Sequence, residues 1–290
     1  GQRRFALMIS MASMIVVRNS QTNLRLGVRS LRFASRYNSL FKMAAYTTAS
    51  GKKSTLDLSG IYPPIVTPFD HNEDVNDQAL QQNFNKWNDI GFRGYVVQGS
   101  NGEYAYMRPE EKIDLVRKVR QLAPADKLIL AGSGCEATRD TIEMTRKMAE
   151  AGADAALVLV VTITKIGYMI HKTAGNNFQV IAGSASFLLA SYCLGAVGGV
   201  CALANVLGRE VTQLHQLFHG GKMEEAKLLQ HKLILPNTAV TKTFGVSGLK
   251  ASMDMMGYYG GPTRSPLLPL KDQQMTELKQ IFSIFEGFQG

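Results

Sequence analysis

The chain has 290 residues, 45% of them hydrophobic and 19% charged, enough to fill one large α/β core or two smaller ones. Its net charge of +9 would suit a nucleic-acid or anionic-membrane partner if it were spread over the body. It is not: Gly1 to Lys53 hold seven Arg and three Lys with no Asp or Glu before Asp57, leaving 22 basic against 23 acidic residues in the remainder. A nucleic-acid function loses its main support on that count.

The leader, 1–53, is rich in Arg, Ser and small apolar residues. Arg18, Arg25, Arg29, Arg32 and Arg36 follow spacings of seven, four and three that gather on one helical face opposite Leu and Val. This is the composition of a mitochondrial transit peptide, which predicts a matrix location. A disordered basic tail or a surface-binding helix is the alternative. Its apolar runs are too short, and too often broken by Arg, to span a membrane.

After the leader, β-rich runs alternate with helical patterns. "IYPPIVTPF" reads as a strand ending in a Pro-flanked loop, and "DQALQQNFNKWNDIG" as a helix with a Gly stop. "GYVVQGSNGE" leads to the helix "PEEKIDLVRKVRQLA", with Pro109 at its start. Then come "KLILAGSG", the helix "TRDTIEMTRKMAEAGA" and the strand "AALVLVV". That strand passes almost without a loop into the helix "ITKIGYMIHKT". The rhythm resumes with "FQVIAGSA", the helix "SFLLASYCLGA" and the strand "VGGVCALAN". From Leu207 onward the pattern is helical, with Gly and Pro turns. The predicted division is a leader at 1–53, an α/β body at 54–206 and a C-terminal helical extension at 207–290.

Alternation of this kind predicts a parallel sheet with helices on its faces. A closed (β/α)8 barrel takes about 250 residues, roughly 30 per unit. Gly60 to Asn205 span about 145 residues and carry six predicted strands, so the region is too short for eight.

In such sheets ligands bind beyond the carboxyl ends of the strands. Three of those loops are Gly- and Ser-rich: Gly99 to Glu103 ("GSNGE"), Gly132 to Glu136 ("GSGCE") and Gly183 in "AGSA". Small residues let backbone N–H groups approach an anion, and Ser100 and Asn101 add donors suited to a carboxylate. The alternative is that these glycines only make tight turns. "GSGCE" lacks the dinucleotide-binding spacing, and nothing resembles a P-loop. Cys135, Cys193 and Cys201 have no zinc-ligand spacing and read as free thiols. His215 and His219, four apart, lack the carboxylate of a metal-binding helix and read as a helix face.

"GIYPPIVTPF", "GYVVQGSNGE", "AGSGCEATRDTIEMTRKMAEAGADAA", "GAVGGVCALANVLG" and "MGYYGGPTRSPL" together closely resemble the dihydrodipicolinate synthase / N-acetylneuraminate lyase family of class I aldolases. The likeness runs from about Ser59 to the C-terminus, with "GSNGE" standing where "GTTGE" is commoner. The resemblance implies a (β/α)8 TIM barrel with a C-terminal helical extension, usually a homotetramer acting on a small 2-oxo acid without metal or organic cofactor. It implies a Lys on the sixth strand that forms a Schiff base and a Tyr on the fifth that shuttles protons. By the same match, Ser100 and Asn101 hold the substrate carboxylate and Gly183 lines the site.

The segments "PCYY", "YSVPANTG" and "GMKDSGGD", which should carry that Tyr and Lys, are absent. "AALVLVVT" matches the fourth strand and "ITKIGYMIHKT" the helix after the sixth, so the resemblance implies loss of everything between them, joined in frame. The expected fold is therefore an incomplete six-stranded barrel or open sheet. Lys165 alone lies just beyond a strand end, where it could stand in for the lost Lys, but it reads as part of a helical first turn. Three readings follow: an inactive aldolase relative, a non-catalytic subunit that joins full-length protomers, or a product that does not accumulate as folded protein.

Overall fold

The computed structural model describes residues 56–289 apart from 136, 158–162 and 175–177; the predicted leader and the β4 exit therefore lie outside the described residues. Six short strands, β1 (Gly60–Tyr62), β2 (Gly94–Val97), β3 (Leu128–Gly132), β4 (Ala155–Leu157), β5 (Ile181–Ala182) and β6 (Gly198–Val200), form two parallel three-stranded sheets. Their orders are β1-β6-β5 and β2-β3-β4.

The last strand pairs with the first, Gly60 opposite Gly198 and Tyr62 opposite Val200, as in a barrel that closes on itself. Between β1 and β2 the ladder is cut to an isolated bridge at Pro64 and Val96, because Pro63 and Pro64 have no N–H to give. What survives is Val96 N–H to Pro63 O and Ile65 N–H to Val96 O, each 2.9 Å. The strands thus run β5-β6-β1-β2-β3-β4, and no ladder joins β4 to β5 among the described residues. This is an incomplete barrel.

Leu58, Tyr62, Val96, Leu130, Ala155, Leu157, Ile181 and Val200 form a small buried cluster to which all six strands contribute. A separate and larger apolar cluster unites the strands with the helices. Helix α1 (Asp77–Trp87) starts at Asn76, whose side chain accepts from the Ala79 N–H at 3.0 Å. It buries Ala79, Leu80, Phe84 and Trp87 on one face. Helix α2 (Pro109–Leu122) begins with proline, as expected, and its Glu111 carboxylate accepts from the Arg108 N–H at 2.8 Å. Helices α3 (Thr138–Glu150), α4 (Ile163–Thr173) and α5 (Leu188–Cys193) complete the body.

The predicted strand through Asn205 stops instead at Val200, and Ala202–Asn205 turn into a 3-10 helix. The reason is the Asn205 side chain, whose Nδ2 donates to Pro64 O (2.8 Å) and Ala202 O (3.0 Å) and closes the turn. The following residues form α6 (Gly208–His219), α7 (Met223–Thr238), α8 (Gly245–Met255) and α9 (Asp272–Phe282). Helix α7 contains Pro236 and runs on into a π-type turn over Ala239–Thr243.

A β-carbon at Gly198 would sit inside the contact distance of the Gly60 carbonyl oxygen, which is backbone and cannot rotate away. Gly198→Ala is expected to cost at least about 3 kcal/mol of stability, read as a lower urea midpoint with native helix content at zero denaturant.

Candidate functional site

Strand β2 delivers the chain to the 99–103 loop through unusual backbone. Gln98 (φ 76°), Gly99 (φ 86°) and Glu103 (φ 56°) all occupy the left-handed region, which costs a non-glycine residue about 1–3 kcal/mol unless its surroundings enforce it. The turn is closed by Gly102 N–H to Gly99 O (3.2 Å) and Glu103 N–H to Ser100 O (3.2 Å). It is tied to the segment that follows β1 by Thr67, whose hydroxyl donates to Gly102 O at 2.7 Å. Ser100 is exposed and Asn101 half-buried, and neither side chain has a hydrogen-bond partner among the described residues. Their donors are available to an anion.

Glu103 is fully buried, and its partners come from the far end of the chain. Lys250 Nζ, on α8 and 1% exposed, lies 2.6 Å from Glu103 Oε1, with angles outside hydrogen-bond geometry. Lys250 also donates to Pro262 O at 2.7 Å. The Arg264 backbone N–H donates to Glu103 Oε2 at 2.8 Å. Arg264 makes a two-pronged contact with Glu111, 2.9 and 2.8 Å, and reaches the carbonyls of Glu73 and Tyr106. Both cations lie over the Phe69 ring, Lys250 at 4.6 Å and Arg264 at 4.3 Å from its centre. Burial holds the Lys250 ammonium below the usual lysine range, and the neighbouring Glu103 and Asp254 carboxylates offset only part of that. The hydrogen bond from Arg264 holds Glu111 below the usual carboxylate range.

Gly183 follows β5, and the adjacent Ser184 accepts from Asn237 of α7 at 3.0 Å. No described contact joins it to Ser100 or Asn101. Ser133, after β3, is buried against Thr145 with 2.7 Å between hydroxyl oxygens. Gly132 packs on the loop: a β-carbon there would stand 3.0 Å from Gly99 N.

Lys165 is exposed in the first turn of α4, on a helix face and outside any enclosed pocket of the kind a Schiff-base lysine needs. Cys135, Cys193 and Cys201 form no disulfide among the described residues, and burial pushes the Cys201 thiol well up, away from nucleophilic use. Sequence reasoning missed Lys250, Arg264 and Thr67. The "GGPTRSP" run was the available signal for Arg264.

His215 and His219 cluster with Tyr192 and Phe218, Tyr192 stacking on Phe218 and meeting His215 edge-on, and the Tyr192 hydroxyl lies 2.8 Å from His215 Nδ1. His215, Thr212, Arg93 and Lys127 line a cleft of about 230 Å³ at the amino ends of the strands, the end opposite the 99–103 loop. Burial, helped by His219, lowers the His215 pKa to about 4 from 6.5. The unfolded chain therefore takes up this proton below pH 6.5 while the folded one refuses it until about pH 4, so stability falls across that window. Discounted for partial exposure, the loss between pH 7 and pH 5 should be roughly 1–2 kcal/mol. Chemical denaturation of the wild type should show it, and His215→Gln should not.

A family model described as the dihydrodipicolinate synthetase family matches residues 57–162 and 161–284. A 4-hydroxy-tetrahydrodipicolinate synthase of Methanothrix thermoacetophila is 25% identical over 291 residues, covering 80% of this chain and 98% of the relative. A DapA-like lyase of Halobacterium salinarum is 24% identical, covering 82% of this chain and 97% of its own length. Among solved structures, a Bacillus anthracis dihydrodipicolinate synthase superposes with TM-score 0.74 at 22% identity, over 80% of this chain and 99% of that one. The Aquifex aeolicus enzyme gives 0.73 at 20% identity, over 78% and 97%.

Proposed function

Because the chain belongs to the dihydrodipicolinate synthetase family, lyases of the Schiff-base aldolase type, we propose that it is a relative of mitochondrial 4-hydroxy-2-oxoglutarate aldolase that has lost two βα units and does not cleave. The lineage reaction begins with attack of a lysine amine on the C2 carbonyl, with loss of water. The resulting iminium draws the electrons of the C3–C4 bond as the C4 hydroxyl gives up its proton, releasing glyoxylate; protonation of the enamine at C3 and hydrolysis of the imine then free pyruvate and the lysine. This chain keeps Ser100 and Asn101 for the 2-oxo acid carboxylate and lacks the segments that carry the Lys and Tyr.

The observation that carries this reading is the break in the family match, whose two stretches, 57–162 and 161–284, meet with a two-residue overlap between β4 and α4. The length of the gap supports it. The Methanothrix alignment runs 291 positions, while 80% of 290 residues is about 232, leaving about 59 positions without a counterpart here. That is the size of two barrel units of roughly 30 residues. The Arg-rich leader supports a matrix destination.

The test is pyruvate release from 4-hydroxy-2-oxoglutarate by the purified chain beside a full-length relative. The expected result is release by the relative alone; turnover by this chain overturns the proposal.

A second reading, a non-catalytic subunit joined to full-length protomers, is favoured by three apolar residues that α7 leaves open: Leu228 (66% exposed), Leu235 (60%) and Ile234 (42%). Co-expression with a tagged full-length relative should then give a mixed oligomer, and separate elution would sink it.

A further inference from the structure

We propose that the Glu103–Lys250–Arg264 cluster is a positioning device for the Ser100–Asn101 loop, so that the C-terminal helical extension forms part of the carboxylate site. This rests on the reading of Ser100 and Asn101 as carboxylate donors. The starting observation is backbone strain: left-handed residues at 98, 99 and 103 bracket the two donors, and two of the three are not glycine. Strained residues of that kind persist only where their surroundings over-determine them.

For Glu103 the surroundings are explicit. Its side chain is completely buried, one oxygen is met by the Lys250 ammonium and the other by the Arg264 amide. Neither partner can drift. Lys250 is held by Pro262 O and faces Phe69, and Arg264 is clamped by Glu111 and the Glu73 carbonyl. Phe69 is itself fixed, because the Tyr259 hydroxyl donates to its carbonyl at 3.1 Å. The loop is thus anchored by Thr67, from the segment after β1, and at its own end by the extension, while its two central side chains stay unpartnered among the described residues. Rigid support with free donors is the arrangement that lowers the ordering cost of binding an anion. Lys250 and Arg264 act through Glu103 and touch no ligand.

The test uses the full chain with pyruvate and its neutral methyl ester as probes, followed by titration calorimetry, together with hydrogen exchange of the peptide spanning 98–104. In Glu103→Gln/Lys250→Met both charges go and the shape is kept. The expected result is about tenfold weaker pyruvate binding, little change for the ester, and faster exchange confined to 98–104. Lys250→Arg, which keeps the charge, should restore slow exchange. A folded double variant with unchanged exchange in 98–104 overturns the positioning role, whatever the binding. If the double variant does not fold, Glu103→Asp, which withdraws the carboxylate by one carbon, is read the same way. Failure of the underlying reading looks different: Ser100→Ala/Asn101→Ala leaves pyruvate binding unchanged, or the wild type does not prefer pyruvate to its ester, while the loop still loosens in the double variant.

Discussion

Replacing Lys250 by methionine is expected to lower the unfolding free energy by about 3–5 kcal/mol, because it strands the fully buried Glu103 carboxylate without its counter-ion. Burying two charges is costly, so the pair adds little over a well-packed apolar pair; breaking one side of it is what destabilises. Glu103→Leu/Lys250→Met should therefore lose much less than Lys250→Met alone, although it leaves the Arg264 N–H without its acceptor. Guanidinium unfolding of the two variants beside the wild type gives the comparison. Equal losses would mean that the shape of the site, and not the stranded charge, sets the cost.

Trp87→Ala should cost a similar amount, about 3–5 kcal/mol. The Trp87 side chain is completely buried, meets Phe84, Tyr95 and Tyr258 at ring distances of 5.5, 6.5 and 6.2 Å, and donates from Nε1 to Asn205 O at 3.1 Å. It thereby joins α1, β2, the turn after β6 and the segment after α8. Trp87→Phe keeps much of the apolar contact and loses the donor, so roughly 1–2 kcal/mol is expected. A Trp87→Ala variant with an unchanged unfolding midpoint would contradict the packing described.

The elements most legible in the sequence were those written in local chemistry. Pro109 marks the start of α2 as expected, whereas the Asn76 cap of α1 and the thinning of the β1–β2 ladder at Pro63–Pro64, equally local, are not among the expectations: "IYPPIVTPF" reads as one strand. The end of β6 was not legible, because it depends on Asn205 reaching Pro64, 141 residues away in sequence. The same holds for the loop support. The donors Ser100 and Asn101 stand out within a five-residue motif, whereas the pairing of Glu103 with Lys250 and Arg264 spans 147 and 161 positions and no spacing rule joins such residues. The short strand count was visible from length alone. That β6 still pairs with β1 is a matter of barrel wrapping, which only coordinates reveal.

The most direct measurement is borohydride trapping on the purified chain: incubate with pyruvate, reduce, and weigh the intact protein beside a full-length relative treated the same way. The expected result is an unchanged mass for this chain, since Lys165 is exposed on a helix and Lys250 is sealed against Glu103, and a stoichiometric adduct on the relative. A stoichiometric adduct on this chain, mapped by peptide mass to Lys165, Lys250 or any other lysine, would contradict it.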